Sequence, residues 1–251
     1  MNPVLEEIIA RRETTLLPDG TYLFRDQLNI KGVVTTAVVT CKGWLLEMYR
    51  LRAGELYFLS GQKEIRPNGN RFAVFYPPYT LVRPRFVNAK GNLLGLAGTA
   101  PLPAGIGTVP FVFESSGPFE ARSVSEILAA GGNRQAIDAN PRASALSIKA
   151  RKLIVEGYAS EPSIGRIAAR LGVSNEHLSR QFRRDYGMSP REYLHQLRLA
   201  DVPLELARGE AITEISHDSG YGELSRFYKQ FRKSTGTSPG LCREIVTPKA
   251  G

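Results

Sequence analysis

Two stretches of the chain repeat one set of cationic side chains at one spacing. In Leu178-Ser-Arg-Gln-Phe-Arg-Arg184 and Phe227-Tyr-Lys-Gln-Phe-Arg-Lys233, a helical period puts Leu178 with Phe182, and Phe227 with Phe231, on an apolar stripe. The opposite side carries Glu176, Arg180 and Arg183 in the first copy and Ser225, Lys229 and Arg232 in the second, with Arg184 and Lys233 flanking them. Rows of guanidinium and ammonium groups donate to phosphate oxygens and to the acceptor edges of bases, so the chemistry they suit is nucleic-acid binding. One basic helix face is ordinarily only a solvated face. Two copies, each behind a glycine turn and joined by a segment of fixed length, argue for a function.

The repeat extends beyond these helices. Ile164-x-x-Ile167-Ala168 recurs as Ile212-x-x-Ile215-Ser216, Gly172 as Gly220, and Gly187 with Pro190 as Gly236 with Pro239. Each unit reads as a short helix, a turn opened by glycine and a longer helix, which is helix-turn-helix grammar. Helices are expected over 146–158, 163–171, 175–186, 191–207, 211–219 and 222–235. Gly187 and Gly236 suit a left-handed position just past a helix end, and Ser189-Pro190 and Ser238-Pro239 suit the first turn of a new helix. A basic helix of this width fits the major groove, and a rigid pair would enter successive grooves about 34 Å apart.

Residues 1–115 have a different grammar. Runs such as 32–40, 44–51, 55–60, 71–76 and 108–113 are rich in β-branched and aromatic residues, and Gly, Pro and Asn punctuate them. The expected fold is therefore two domains. One is a mainly β domain over 1–140, a small cupin-like barrel or sandwich, and the other an all-α domain over 145–251 with two helix-turn-helix units. A short helix is expected at 124–130, with Ser123 and Glu126 at capping-box spacing.

The net charge of +9 favours an acidic partner, but it does not choose a half, because 1–147 carry 16 bases and 12 acids and 148–251 carry 17 and 12. Cys41 and Cys242 are far apart without a CxxC partner, which points away from a disulfide scaffold and towards a reducing cytoplasm. The start, MNPVLEEIIARRE, lacks the basic region and apolar run of a secretory signal. Leu93 to Phe113 is uncharged, but its prolines and glycines would break a membrane helix repeatedly.

The run I-x-x-I-A…G-V-S…L-S-R-x-F-R-R…G-x-S-P-x-x-Y, followed by R-L…I-T-E-I…G-Y…F-Y-K-Q-F-R-K…G-T-S-P, resembles the DNA-binding domain of AraC/XylS-type transcription regulators over about residues 146–245. The resemblance implies a non-enzymatic regulator that binds double-stranded DNA, usually an activator working through contacts with RNA polymerase. It implies base reading by Glu176, Ser179 and Arg180 in the first unit and by Leu224, Ser225, Tyr228 and Lys229 in the second. Phosphate contacts fall to Arg183, Arg184, Arg232 and Lys233. Two residues depart from the family pattern: Pro203 interrupts the linking helix, and Ser216 stands where alanine is usual.

The β half commonly binds a small-molecule effector or mediates dimerisation in that family. All three histidines, His177, His195 and His217, lie in the helical half, so the metal-dependent chemistry of histidine-rich cupins is not expected, and no cofactor is. Arg83 and Arg85 share a strand face with Leu81 and suit an anionic effector, with Trp44, Tyr57 and Tyr76 as candidate lining. Two alternatives stay open. Control is exerted by a protein partner, or the helical domain carries a DNA-acting enzyme whose reactive thiol would be Cys41. Homodimerisation also stays open.

Overall fold

The computed structural model describes residues 12–60, 63–101, 106–115, 123–138, 140, 142–160, 163–235 and 237–247. Residues 1–11 of the N-terminal segment discussed above and Gly236 lie outside them. The N-terminal region is mostly β-sheet and the C-terminal region helical, in the expected order.

The strands among the described residues are β1 (Glu13–Leu16), β2 (Tyr22–Asn29), β3 (Val33–Thr35), β4 (Val38–Val39), β5 (Trp44–Ser60), β6 (Lys63–Ile65), β7 (Arg71–Tyr76), β8 (Leu81–Val82), β9 (Pro84–Gly98), β10 (Phe111–Glu114) and β11 (Gln135–Ala136). The main sheet is antiparallel in the order β1-β2-β9-β5-β7-β10-β11, with β3 added to β9 and β6 to β5, while β4 and β8 pair separately. The two longest strands, β5 and β9, run side by side, and their register shifts twice between Leu51 and Glu55. Gly54 sits there at φ +75°, and a Cβ on it would meet the Asn88 carbonyl oxygen at 2.2 Å, so only glycine allows this approach.

Both faces of the sheet are buried here, which is why residues 72–76 of β7, after Arg71, read as an unbroken apolar run. One face carries Leu23, Leu46, Met48, Phe75, Leu94 and Phe113 and is covered by α1 (Val124–Ala130) through Ile127 and Leu128. Ser123 caps α1 by accepting from the Glu126 amide. The other face, with Tyr22, Phe24, Tyr49, Phe72, Val74 and Tyr76, continues into a cluster that includes residues of the helical half.

That half comprises α2 (Ala145–Gly157), α3 (Ile164–Arg170), α4 (Asn175–Tyr186), α5 (Pro190–Leu199), α6 (Val202–Ala207), α7 (Ile212–Asp218), α8 (Leu224–Thr235) and α9 (Pro239–Val246). The segment read as one helix over 191–207 is two. It breaks at Ala200 and Asp201, and Pro203 lies at the start of α6, where a missing N–H costs nothing. Among the described residues no helix is long and apolar enough to cross a membrane.

Candidate nucleic-acid interface

Each unit turns at a left-handed glycine that the repeat shares. In the first, Gly172 turns the chain at φ +70°, and Ser174 caps α4 by accepting from the His177 amide at 3.1 Å. Gly187 closes α4 in the left-handed region, its amide donating to the Arg183 carbonyl at 2.8 Å. In the second, Gly220 adopts φ +75°, and a Cβ there would lie 2.7 Å from the Ala159 carbonyl oxygen. Ala168 and Ser216 occupy equivalent buried positions, so the departure at 216 keeps a small side chain where the helices pack.

The inward stripes are fully buried: Leu178, Phe182, Phe227 and Phe231 are each 0% exposed. The outward rows are open to solvent. Glu176 and Arg180 on α4, and Leu224, Ser225, Tyr228 and Lys229 on α8, are exposed, and Ser179 is half-buried. Leu224 and Tyr228 are large apolar side chains that are 41% and 38% exposed, a cost with no return inside the fold. Arg183, Arg184, Arg232 and Lys233 are exposed as well. Arg183 lies 3.7 Å from Glu192, a solvated pair of small worth, and Arg184 donates to Gln181.

The linking helix α5 joins the units through side chains that the motif does not reveal. Arg198 is buried, donates through Nε to the Tyr158 carbonyl at 2.8 Å, and lies with its guanidinium 5.3 Å from the Tyr221 ring centroid. His195 stacks on the same ring, and burial beside Arg198 and Arg191 pushes its pKa down to about 4, so it is neutral at physiological pH. Ser189 begins α5 with a full capping box to Glu192.

A cavity of about 1050 Å³ lies between the sheet and the helices. Leu28, Ile30, Phe86 and Leu93 line its sheet side, and Met188, His195, Leu199 and Lys233 its helical side. Arg83 reaches into it against Gly187 and has no acidic partner among the described residues, and burial lowers its pKa. The buried acids of the lining are accounted for: Asp26 is held by Arg12 at 2.6 Å, and Glu47 accepts from Tyr49 and Tyr76, with burial raising its pKa.

The other sequence candidates for an effector lie elsewhere. Arg85 is paired with Glu64, and Trp44 sits under the opposite face with Nε1 donating to the Ala100 carbonyl. Tyr57 donates to Glu55, and Tyr76 is committed to Glu47. Of the five, the structure brings only Arg83 to the cavity. Lys233 turns out to face both solvent and cavity. Cys41 is buried, and desolvation with the nearby Asp201 pushes its thiol up to about 12, the reverse of what a reactive thiolate needs.

A helix-turn-helix domain family matches residues 167–245. The transcriptional activator RhaS of Pectobacterium carotovorum is 34% identical over 87 residues, 34% of this chain and 31% of that protein. The Msm operon regulatory protein of Streptococcus mutans is 29% identical over 110 residues, 43% of this chain and 40% of that protein. The matched segment thus spans well under half the length of these curated relatives. Among solved structures, the C-terminal domain of AraT from Geobacillus stearothermophilus is similar at TM-score 0.41 and 27% identity, over 43% of this chain and 91% of that one.

Proposed function

With residues 167–245 an AraC-type helix-turn-helix domain, we propose that the chain is a cytoplasmic, sequence-specific transcription regulator, an activator, whose β domain (1–140) controls its DNA-binding domain (145–251). The carrying observation is the pair of exposed rows on α4 and α8, each backed by a fully buried stripe and preceded by the same left-handed glycine turn, Gly172 in one and Gly220 in the other. Glu176, Ser179 and Arg180 read one major-groove segment, and Leu224, Ser225, Tyr228 and Lys229 read the next. Arg183, Arg184, Arg232 and Lys233 anchor phosphates. Activation proceeds through contact with RNA polymerase.

Control comes from a small molecule with an anionic group. The cavity favours this reading over a protein partner, because both halves line it and because Arg83, which has no acidic partner among the described residues, reaches it beside Ile30, Phe86 and Met188. An occupant there touches the sheet, α5 and the end of α8 at once. Selection of duplexes from a randomised pool by the full chain, at near-physiological salt, tests the DNA reading. Two conserved blocks about one helical turn apart support it. Binding with no recovered motif, vanishing as salt rises, would leave only non-specific electrostatics.

A further inference from the structure

The break in the linking helix is bridged by the β half. Asp201 precedes Val202-Pro203 at the start of α6, where an aspartate ordinarily caps its own helix, yet its side chain makes no such bond. The carboxylate turns outward and accepts the Lys42 backbone amide at 2.9 Å, with the amides of Gly43 and Cys41 also directed at it. The fit is close. A Cβ on Gly43 would lie 3.4 Å from Asp201 Oδ1 and 3.0 Å from the Gly98 carbonyl oxygen.

The loop that supplies these amides is tied to a second one. Thr40 Oγ1 donates to the Pro77 carbonyl at 2.6 Å and accepts the Thr80 amide at 2.9 Å, and the Tyr79 amide donates to the Cys41 carbonyl. Tyr79 is held at φ +59°, uncommon for a residue with a bulky side chain. Its carbonyl accepts Arg151 Nη2 at 2.6 Å, and Arg151 Nε donates to the Tyr193 hydroxyl. Arg151 belongs to α2 and Tyr193 to α5, two helices whose buried residues share the core of the first unit. The joined loops therefore hold the first unit through Tyr79 and the chain beyond the break through Lys42. The far end of α6 is held too, where Arg208 donates to Thr99 at 3.2 Å.

We infer that the paired loops Thr40–Gly43 and Pro77–Thr80 set the angle between the two helix-turn-helix units across the break at Ala200–Asp201, and that Asp201 is thereby a determinant of the spacing between the two DNA blocks. The inference rests on the two-block reading above. Asp201 is a positioning residue, since it lies at the interface with the β half. An α-helix running through this segment would fix the angle by itself. A broken one needs an external brace.

The test uses the full chain and duplexes carrying the two selected blocks, with spacers shortened or lengthened by one and two base pairs. Each added pair turns the second block by roughly 35° about the duplex axis. Duplexes holding only one block serve as controls. The wild type is expected to prefer one spacer by about tenfold or more, the factor that the loss of one well-placed charged contact commands. In Asp201→Ala the preference is expected to fall to within about threefold, with binding to single blocks unchanged.

Asp201→Asn, which keeps one accepting oxygen, should restore part of the preference. Gly43→Ala should mimic the loss without touching the carboxylate, and Arg151→Gln should do so from the other side of the break. An unchanged spacer preference in the folded variants would overturn the inference. So would an equal fall in single-block binding, which marks a general loss of structure. Should the wild type itself recover no two-block motif, the DNA reading fails first, and the brace falls with it.

Discussion

Glu205 lies one turn beyond Asp201 on α6, half-buried, with Oε2 finding no hydrogen-bond partner among the described residues. Burial, with the negative charges of Asp201 and Glu210, raises its pKa from the ordinary 4.5 to about 7. A carboxyl whose pKa is raised by folding favours the native state while protonated. Its contribution is therefore present below about pH 4.5, declines as pH rises towards 7, and is gone above that. At about 1.4 kcal/mol per tenfold in acidity, the full cost above neutrality would be roughly 3 kcal/mol. Partial exposure screens the charge, so the expected cost is on the order of 1–2 kcal/mol.

Glu205→Gln removes the charge and keeps the shape. Urea denaturation of both proteins at about pH 4.5 and about pH 8 should give nearly equal stability at the lower value and a variant more stable by on the order of 1–2 kcal/mol at the higher. His195, whose pKa is lowered by folding to about 4, acts with the opposite sign and costs stability as pH falls below its ordinary 6.5. It is common to both proteins and cancels in the difference. An advantage of the same size at both pH values would refute the reasoning, because it would owe nothing to ionisation. No advantage at the higher pH would refute it as well.

Arg180→Ala and Lys229→Ala should each cost roughly 1–3 kcal/mol, confined to the block that its own unit reads, in competition assays against duplexes altered in one block. A loss spread over both blocks would count against base reading. Arg183→Ala should weaken all duplexes alike and lower the slope of log K against log salt by about 1, as titrations at several salt concentrations would reveal. Its exposed pairing with Glu192 is too weak to hold it back. Ser189→Ala breaks the capping box that begins α5 and should cost about 1 kcal/mol in thermal or urea unfolding.

The helical half was legible because its signals are local. Period, glycine turns and Ser-Pro starts lie within a few residues of what they specify, and Gly172, Gly187, Ser189 and Ser238 take the roles that their types suggest. In the β half, β2 and most of β9 beyond Arg85 were not legible in the sequence. Arg25 and Asp26 interrupt the apolar pattern of β2, where Asp26 is buried because Arg12 neutralises it. β9 contains Gly91 and Gly95, poor strand formers by propensity. They are required by neighbours remote in sequence: a Cβ on Gly91 would meet the Arg50 carbonyl oxygen at 2.3 Å, and one on Gly95 the Phe24 ring at 2.0 Å. Pro203 marked a disturbance in the linking helix, but the chain gives way before it, since proline is welcome in a first turn. The cavity joins residues about as far apart as Arg83 and Gly187, a closeness that only the packed halves create.

The second unit does not own its core. Val202, Leu206, Ile215, Phe227, Phe231 and Val246 belong to the same buried cluster as Tyr22, Phe24 and Val74 of the sheet, and Thr14 on β1 donates to the carbonyl of Val246 at the end of α9. The first unit packs largely on itself, with Cys41 and Leu81 as its buried guests from the β half. The two reading heads are therefore unequal as parts to be moved. A chimera grafting residues 145–251 onto a foreign sheet would carry the first head across nearly intact. The second would arrive with a bare apolar flank, and interchange of regulatory halves succeeds only if that flank is redesigned along with the sheet that covers it.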